Sequence, residues 1–481
     1  KPLTRGATTE HTLLNAGFNL LGTSLAAQEY WDNHRALDYL LTRKDIDPER
    51  IGVYGSSGGG TQTAYYIGLD PRVKVAAICS FFSTRERTME LQGPSDGCQH
   101  IPYEGREQLE VPDFALMMAP RPLLILSGKY DFVDLWGAQQ GFAELQQCYK
   151  VLGVPEKVDM LTVETGHGLG TEKRQKLVSW FKRWLKDDQS PVKKAAQDRF
   201  QLSDMLCTTR GQVNVSMPGA LSIMQENVNQ LDEWASKREA FLSKGKKTIQ
   251  ARMLDLLGLK DLPDHKIRIE ATGHDSMREY EQYKFQLIRE GEMPVPCILI
   301  IPSRANADSP VELRLQEEGK GTYLSEYANF AAALTEGKIL LLADLRGLGE
   351  TTDPAFYTDA KYWNREYRNA MISMHIGRPI MGQRVVDILT LLDFCSEHEF
   401  LKGHSVKVFA NGIYGPAAIH AAYLDERINS VEITHSVKTW KEYIERPMQW
   451  DMYSNVLYGA LKYYDLPDLI RLSNCPIRFA D

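Results

Sequence analysis

The stretch Ile51–Gly60, Ile-Gly-Val-Tyr-Gly-Ser-Ser-Gly-Gly-Gly, restricts the folds open to this chain more than any other. A short apolar run ends in Gly55-Ser56-Ser57-Gly58-Gly59, a G-x-S-x-G pattern centred on Ser57. The next residues, Thr61–Ile67, read as the start of a helix. Strand, tight turn and helix is the setting in which this pattern lifts a serine hydroxyl clear of the backbone at the top of a sheet. Such a turn is strained, so the residues flanking the serine must be small. The amide after the serine, that of Gly58, is then expected to point into an oxyanion site. The competing reading is a Gly/Ser-rich loop with no chemistry, and the surrounding chain has to decide between the two.

Residues 1–187 alternate helix and strand. Leu25–Thr42 reads as helix, and Ile51–Tyr54, Lys74–Cys79, Pro122–Ser127 and Val158–Glu164 as short apolar strands. Leu177, Trp180, Phe181, Trp184 and Leu185 fall on one face of a closing helix. Strands of this kind separated by helices imply a parallel sheet covered on both faces. Asp187–Lys194 is polar, contains Pro191 and reads as a linker. Beyond the connector Leu206–Val213, residues 221–257 read as a charged helical bridge.

The chain also repeats itself. Shifted by 355, Gly22 falls on Gly377, Asp32 on Asp387, Asp38 on Asp393, Val53 on Val408 and Gly60 on Gly415. Leu69-Asp70-x-Arg72 falls on Leu424-Asp425-x-Arg427, and Pro112-Asp113 on Pro467-Asp468. One ungapped offset serves all of them. The expected architecture is therefore two tandem α/β units with parallel sheets flanked by helices. They are divided as a catalytic unit over 1–187, a linker and bridge over 188–262, and a second unit over 263–481. The second sheet is expected to open near Lys266–Glu270. By the same offset, the first copy lacks its opening strands and the second its last ones, so the chain is expected to be trimmed at both ends.

The first copy supplies candidates for a serine hydrolase triad. Asp131 follows the Pro122–Ser127 strand and His167 follows the Val158–Glu164 strand, so both lie at strand ends, where ligand chemistry collects in open α/β sheets. Ser57, Asp131 and His167 stand in the order nucleophile, acid, base. The chemistry needs a base to take the serine proton and a carboxylate to hold and stabilise the imidazolium. Asp134 is the rival acid, and a surface-turn role is open to Asp131. His11, His34 and His100 have no comparable context, His100 reading as plain loop.

Asp47–Gly60, Leu69–Val73 and Ala119–Leu124 together resemble α/β-hydrolase esterases of the acetyl-xylan-esterase and dienelactone-hydrolase-like kind. The two-copy layout resembles large bacterial esterases of carbohydrate-degrading systems. The resemblance implies that Ser57 is acylated, with His167 as base and Asp131 as its orienter, before water releases the acid. It also implies a second oxyanion donor from a loop upstream of Lys1.

In the second copy the elbow serine is replaced by Gly412, within Phe409–Gly415, and the counterparts of the acid and base would lie past Asp481. That copy is expected to be catalytically dead. The turn at Asp344–Thr351 lacks the spacing of a phosphate-binding loop. The expected function is thus a serine esterase acting on acylated plant polysaccharide. A serine peptidase on the same fold and a non-catalytic carbohydrate-binding descendant are the alternatives. A net charge of -7 without a basic stripe argues against nucleic acid, and no apolar run is long enough to span a bilayer. The seven cysteines form no C-x-x-C, and H-E-x-x-H is absent, so neither a metal nor an organic cofactor is expected. Oligomeric state is unreadable, and a secreted or periplasmic location rests only on where polysaccharide is found. Trp31, Trp136, Trp363 and Trp450 could meet sugar rings, but for most of them the expected home is the core.

Overall fold

The computed structural model describes residues 7–192, 200–354 and 363–480. The linker's Lys193 and Lys194 lie outside these. The chain divides into two compact units. The first comprises residues 1–15 and 24–225, the second residues 16–23 and 226–481.

In the first unit, β1 (Gly52–Ser56), β2 (Val75–Cys79), β3 (Leu123–Gly128) and β4 (Val158–Val163) form a four-stranded sheet in that order. Every pairing is parallel, with Ser56 opposite Cys79 and Gly128 opposite Val163. The chain leaves β1, β3 and β4 at one edge of this sheet. The helices of the unit are α1 (Ala7–Leu20), whose last turn belongs to the second unit, α2 (Leu25–Leu41), α3 (Gly58–Ile67), α4 (Arg85–Gln92), α5 (Val111–Leu116), α6 (Leu135–Val151), α7 (Thr171–Lys186) and the single turn α8 (Val213–Ser216). Alternation along the strands sorts the core into two layers. Ala76, Ile78, Leu123 and Ile125 pack with Leu37, Ala64, Ala138 and Leu145. Val75, Ala77, Leu124 and Leu126 pack with Leu177 and Trp180 of α7. Gly52 has no side chain because the ring of Phe181 stands where one would go.

The second unit holds α9 (Ile223–Leu242) from Glu226 onward and α10 (Lys246–Leu256), both within the stretch expected to bridge the copies. Its sheet has eight strands: β5 (Arg268–Ser276), β6 (Tyr280–Ile288), β7 (Val295–Pro302), β8 (Val311–Leu315), β9 (Ile339–Ala343), β10 (Val406–Asn411), β11 (Ile428–Thr434) and β12 (Ile477–Phe479). Their order is β12-β11-β10-β8-β9-β7-β6-β5. The remaining helices are α11 (Lys320–Ser325), α12 (Tyr327–Thr335), α13 (Tyr367–His375), α14 (Ile380–Glu397), α15 (Gly415–Leu424), α16 (Lys441–Glu445) and α17 (Leu466–Leu472). The expectation of a second all-parallel sheet is corrected here. β5, β6, β7 and β9 pair antiparallel and only β9, β8, β10, β11 and β12 run parallel. The short connections on either side of β6 leave no room for the crossover that parallel neighbours need.

The offset of 355 holds for elements as well as letters. It carries α2 onto 380–396, against α14 at Ile380–Glu397, and β1 onto 407–411, against β10 at Val406–Asn411. It carries backbone conformations too: φ is 75° at Gly22 and 74° at Gly377, 59° at Ser57 and 60° at Gly412, 48° at Ser80 and 52° at His435. It also carries an ion-pair network. Arg72 bridges Asp70 and Asp38, and Arg427 bridges Asp425 and Asp393.

The expectation that most of the four named tryptophans are core is also corrected. Trp31, Trp136 and Trp450 are exposed and Trp363 is half-buried. His100, read as plain loop, is buried behind the 3-10 turn Gly97–Gln99.

Candidate active site

Ser57 sits between the end of β1 and the first residue of α3, with φ 59° and ψ −124°. Few non-glycine residues adopt a positive φ, and where one does the surrounding structure must hold it there. Here the Ser57 amide donates to the Cys79 carbonyl at 3.0 Å and the Ser57 carbonyl accepts from Thr61 N–H. The side chain caps nothing in the helix it precedes. Gly55 and Gly60 are obligatory. A side chain at Gly55 would collide with the Gly59 carbonyl, and one at Gly60 would press on the Cys79 carbonyl. At Gly58 a side chain would meet nothing within 4 Å. As the first residue of α3, Gly58 carries an N–H with no acceptor inside the helix.

His167 and Asp131 meet. His167 Nδ1 lies 2.8 Å from Asp131 Oδ1, with the carboxylate almost fully buried and the imidazole 29 % exposed. Nε2 is thereby left as the ring nitrogen that can receive a serine proton. The Phe132 ring stacks on the imidazole at 4.2 Å between centroids. Burial alone would raise the Asp131 pKa. The hydrogen bonds from His167, the Val133 amide and the Ser80 hydroxyl outweigh it, and the carboxyl is held below its usual value. Asp134, the rival acid, is committed elsewhere. It caps α6 by accepting from Gly137 N–H at 2.7 Å, and it pairs with Arg87. The structure therefore joins His167 to Asp131. It does not join Ser57 to His167 by a hydrogen bond among the described residues. A loose nucleophile–base contact is common before substrate binds.

Two residues that the sequence did not single out complete the surroundings. Ser80 follows β2 with φ 48° and is buried. It accepts from Gly168 N–H at 3.0 Å. Lys173, on the first turn of α7, is 1 % exposed. Its ammonium donates to the Gly168 carbonyl at 3.0 Å and to Ser80 Oγ at 3.3 Å. A buried cation thus holds the Ser80 hydroxyl beside the turn that carries His167. The signal for Ser80 was present, since it occupies the same strand-end position that marked Asp131. Lys173 had none, because a lysine in a charged helix reads as solvated.

The sequence model of the prolyl oligopeptidase family matches residues 21–188, about a third of the chain. That model describes an α/β-hydrolase family. The matched segment is similar to YtaP of Bacillus subtilis (strain 168), described as a hydrolase, with 26% identity over 168 residues. The match covers 34% of this chain and 56% of YtaP, so the chain spans about half the length of that relative. Among solved structures it is similar to one described as an acetyl xylan esterase from Bacteroides fragilis, at 13% identity and TM-score 0.44, covering 55% of this chain and 75% of that one. It is also similar to acetyl xylan esterase 1 from Thermoanaerobacterium sp., at 15% identity and TM-score 0.32, covering 49% and 77%.

In the second unit the elbow position is Gly412. Its φ of 60° would suit the same turn, but a side chain there would collide with the Glu317 carboxylate. The amide at the counterpart of Gly58, that of Ile413, donates to Glu317 Oε2 at 3.1 Å. An internal carboxylate thus sits at the place where the first unit leaves an amide open. Among the described residues no helix is long and apolar enough to cross a membrane.

Proposed function

We propose that the chain is a serine esterase that cleaves acyl esters, with Ser57 as nucleophile, His167 as general base, Asp131 as its orienter and Gly58 N–H as one oxyanion donor. The observation that carries this reading is the buried Asp131 hydrogen-bonded to His167, on the strand-end edge from which Ser57 also emerges in a strained turn. His167 Nε2 would take the serine proton as Oγ attacks the ester carbonyl, and the imidazolium would be stabilised by Asp131. The developing oxyanion would meet the Gly58 amide at the start of α3. Collapse expels the alcohol with the proton from His167, and water repeats the sequence to free the acid.

The proposed substrate is an acetylated or similarly acylated polysaccharide, met outside the cytoplasm. The esterase descriptions of the similar structures agree with it. So do three exposed aromatic side chains next to the site in sequence, Tyr130, Phe132 and Trp136, which offer ring faces to a sugar. The second unit is read as a duplicate that has lost its chemistry. The shared offset, the matched φ pairs and the occupied Ile413 amide support this.

The test is hydrolysis of p-nitrophenyl acetate and acetylated xylan, with fluorophosphonate labelling, by the wild type and Ser57→Ala. Loss of labelling and a fall in kcat of about a thousandfold or more is expected. Turnover of peptide but not ester substrates would replace esterase by peptidase. No labelling of folded wild-type protein would remove the catalytic reading.

A further inference from the structure

Three side chains far apart in sequence meet within the first unit. His11 lies on α1, Glu29 on α2 and Cys98 on the 3-10 turn Gly97–Gln99. His11 Nδ1 is 3.2 Å from Cys98 Sγ and 3.6 Å from Glu29 Oε1. One donor atom from each residue lies within 4.8 Å of the other two. Zinc bonds of about 2.0–2.3 Å at tetrahedral angles place neighbouring donors roughly 3.4–3.6 Å apart. The two separations from His11 Nδ1, 3.2 Å and 3.6 Å, lie close to that spacing.

Burial, with the negative charge of Asp32 added, pushes Glu29 up to about 7. Burial first, then the charges of Glu29 and Asp96, push the Cys98 thiol well up. Nitrogen, sulfur and oxygen donors converge on one point. Thiolate with imidazole selects zinc-class ions over magnesium or calcium.

We propose that His11, Glu29 and Cys98 bind a zinc-class divalent cation, with a water in the fourth position. The His11 side chain is 32 % and that of Glu29 16 % exposed, so solvent reaches one side of the cluster. On binding, the metal–sulfur bond forms as the thiol proton leaves to solvent, Glu29 binds as the carboxylate with any proton it carries released to solvent, and His11 donates the Nδ1 lone pair. The ion would tie the start of α1 to α2 and to the turn that bears Cys98. The site is independent of the Ser57 chemistry.

The test is titration of the metal-stripped full chain with cobalt(II), followed by zinc. One equivalent of cobalt should produce a thiolate charge-transfer band and four-coordinate visible bands, both removed by one equivalent of zinc. Cys98→Ser should abolish the thiolate band and weaken binding at least tenfold. Glu29→Gln should weaken binding about tenfold, while Cys207→Ser, which changes an exposed thiol, should leave the band intact. Should Cys98→Ser fail to fold, alkylation of the wild type decides: zinc should protect the Cys98 peptide from iodoacetamide. No thiolate band in the wild type, a band that survives Cys98→Ser, or alkylation of Cys98 at the same rate with and without zinc would each overturn the site.

Discussion

Asp131 and Asp134 stand three residues apart and serve different ends, and a matched pair of substitutions separates them. Asp131→Asn removes the negative charge that fixes the His167 tautomer and stabilises its imidazolium, and kcat for ester hydrolysis is expected to fall about a thousandfold or more. Asp134→Ala removes the cap of α6 at a cost of about 1 kcal/mol and should leave kcat near wild type. Steady-state kinetics with thermal melts reads both, and the reverse pattern would make Asp134 the acid. The pH sense follows from the depressed Asp131 pKa. Its charged form is favoured in the folded state, so its contribution to stability is present above the unfolded value of about 3.9 and is lost as pH falls through the lower folded value. Asp131→Asn should remove that part of the acid sensitivity. Gly412→Ser tests the second elbow. The new side chain meets Glu317, so the melting temperature should fall and no Ser57-independent hydrolysis should appear. Activity in Gly412→Ser that persists with Ser57→Ala would revive the second unit as an enzyme.

At the scale of elements, α7 has two tasks that its sequence shows unequally. Leu177 and Trp180 form a stripe against β2 and β3, which its spacing foretold. Its first turn also sends the Lys173 ammonium inward to the Gly168 carbonyl and Ser80, one residue past His167. Lys173→Met keeps the length of the stem and deletes the donor. The turn bearing His167 then loses two of its anchors, and kcat is expected to fall about tenfold with little change in KM. Fluorophosphonate labelling of Ser57 should slow in parallel. An unchanged kcat with a lower melting temperature would assign Lys173 to the fold alone.

For the whole molecule, two compact units predict unfolding that is not two-state. Calorimetry should resolve two transitions. Arg85→Ala removes the cation paired with buried Glu104, a change that costs about 3–5 kcal/mol, and should lower one transition. Arg427→Ala, which opens the Asp425–Asp393 network, should lower the other. A single transition moved by both variants would mean that the units fold as one.

Much of this was legible in the letters. Short apolar strands, the glycine-flanked Ser57 and the strand-end positions of Asp131 and His167 are local patterns, and local patterns survive in one dimension. The offset of 355 survives as well, because matched turns and ion pairs demand matched residues, as Arg72 and Arg427 show. The antiparallel half of the second sheet was not legible, because pairing direction depends on how short connections close rather than on strand composition. Nor was the choice between Asp131 and Asp134, which is made by which carboxylate the folded α6 takes as its cap. Only the tertiary structure brings His11, Glu29 and Cys98 together or carries Lys173 inward. Sequence determines which donors exist and which strands form. The distance between donors on separate elements is set by packing, which a linear pattern does not encode.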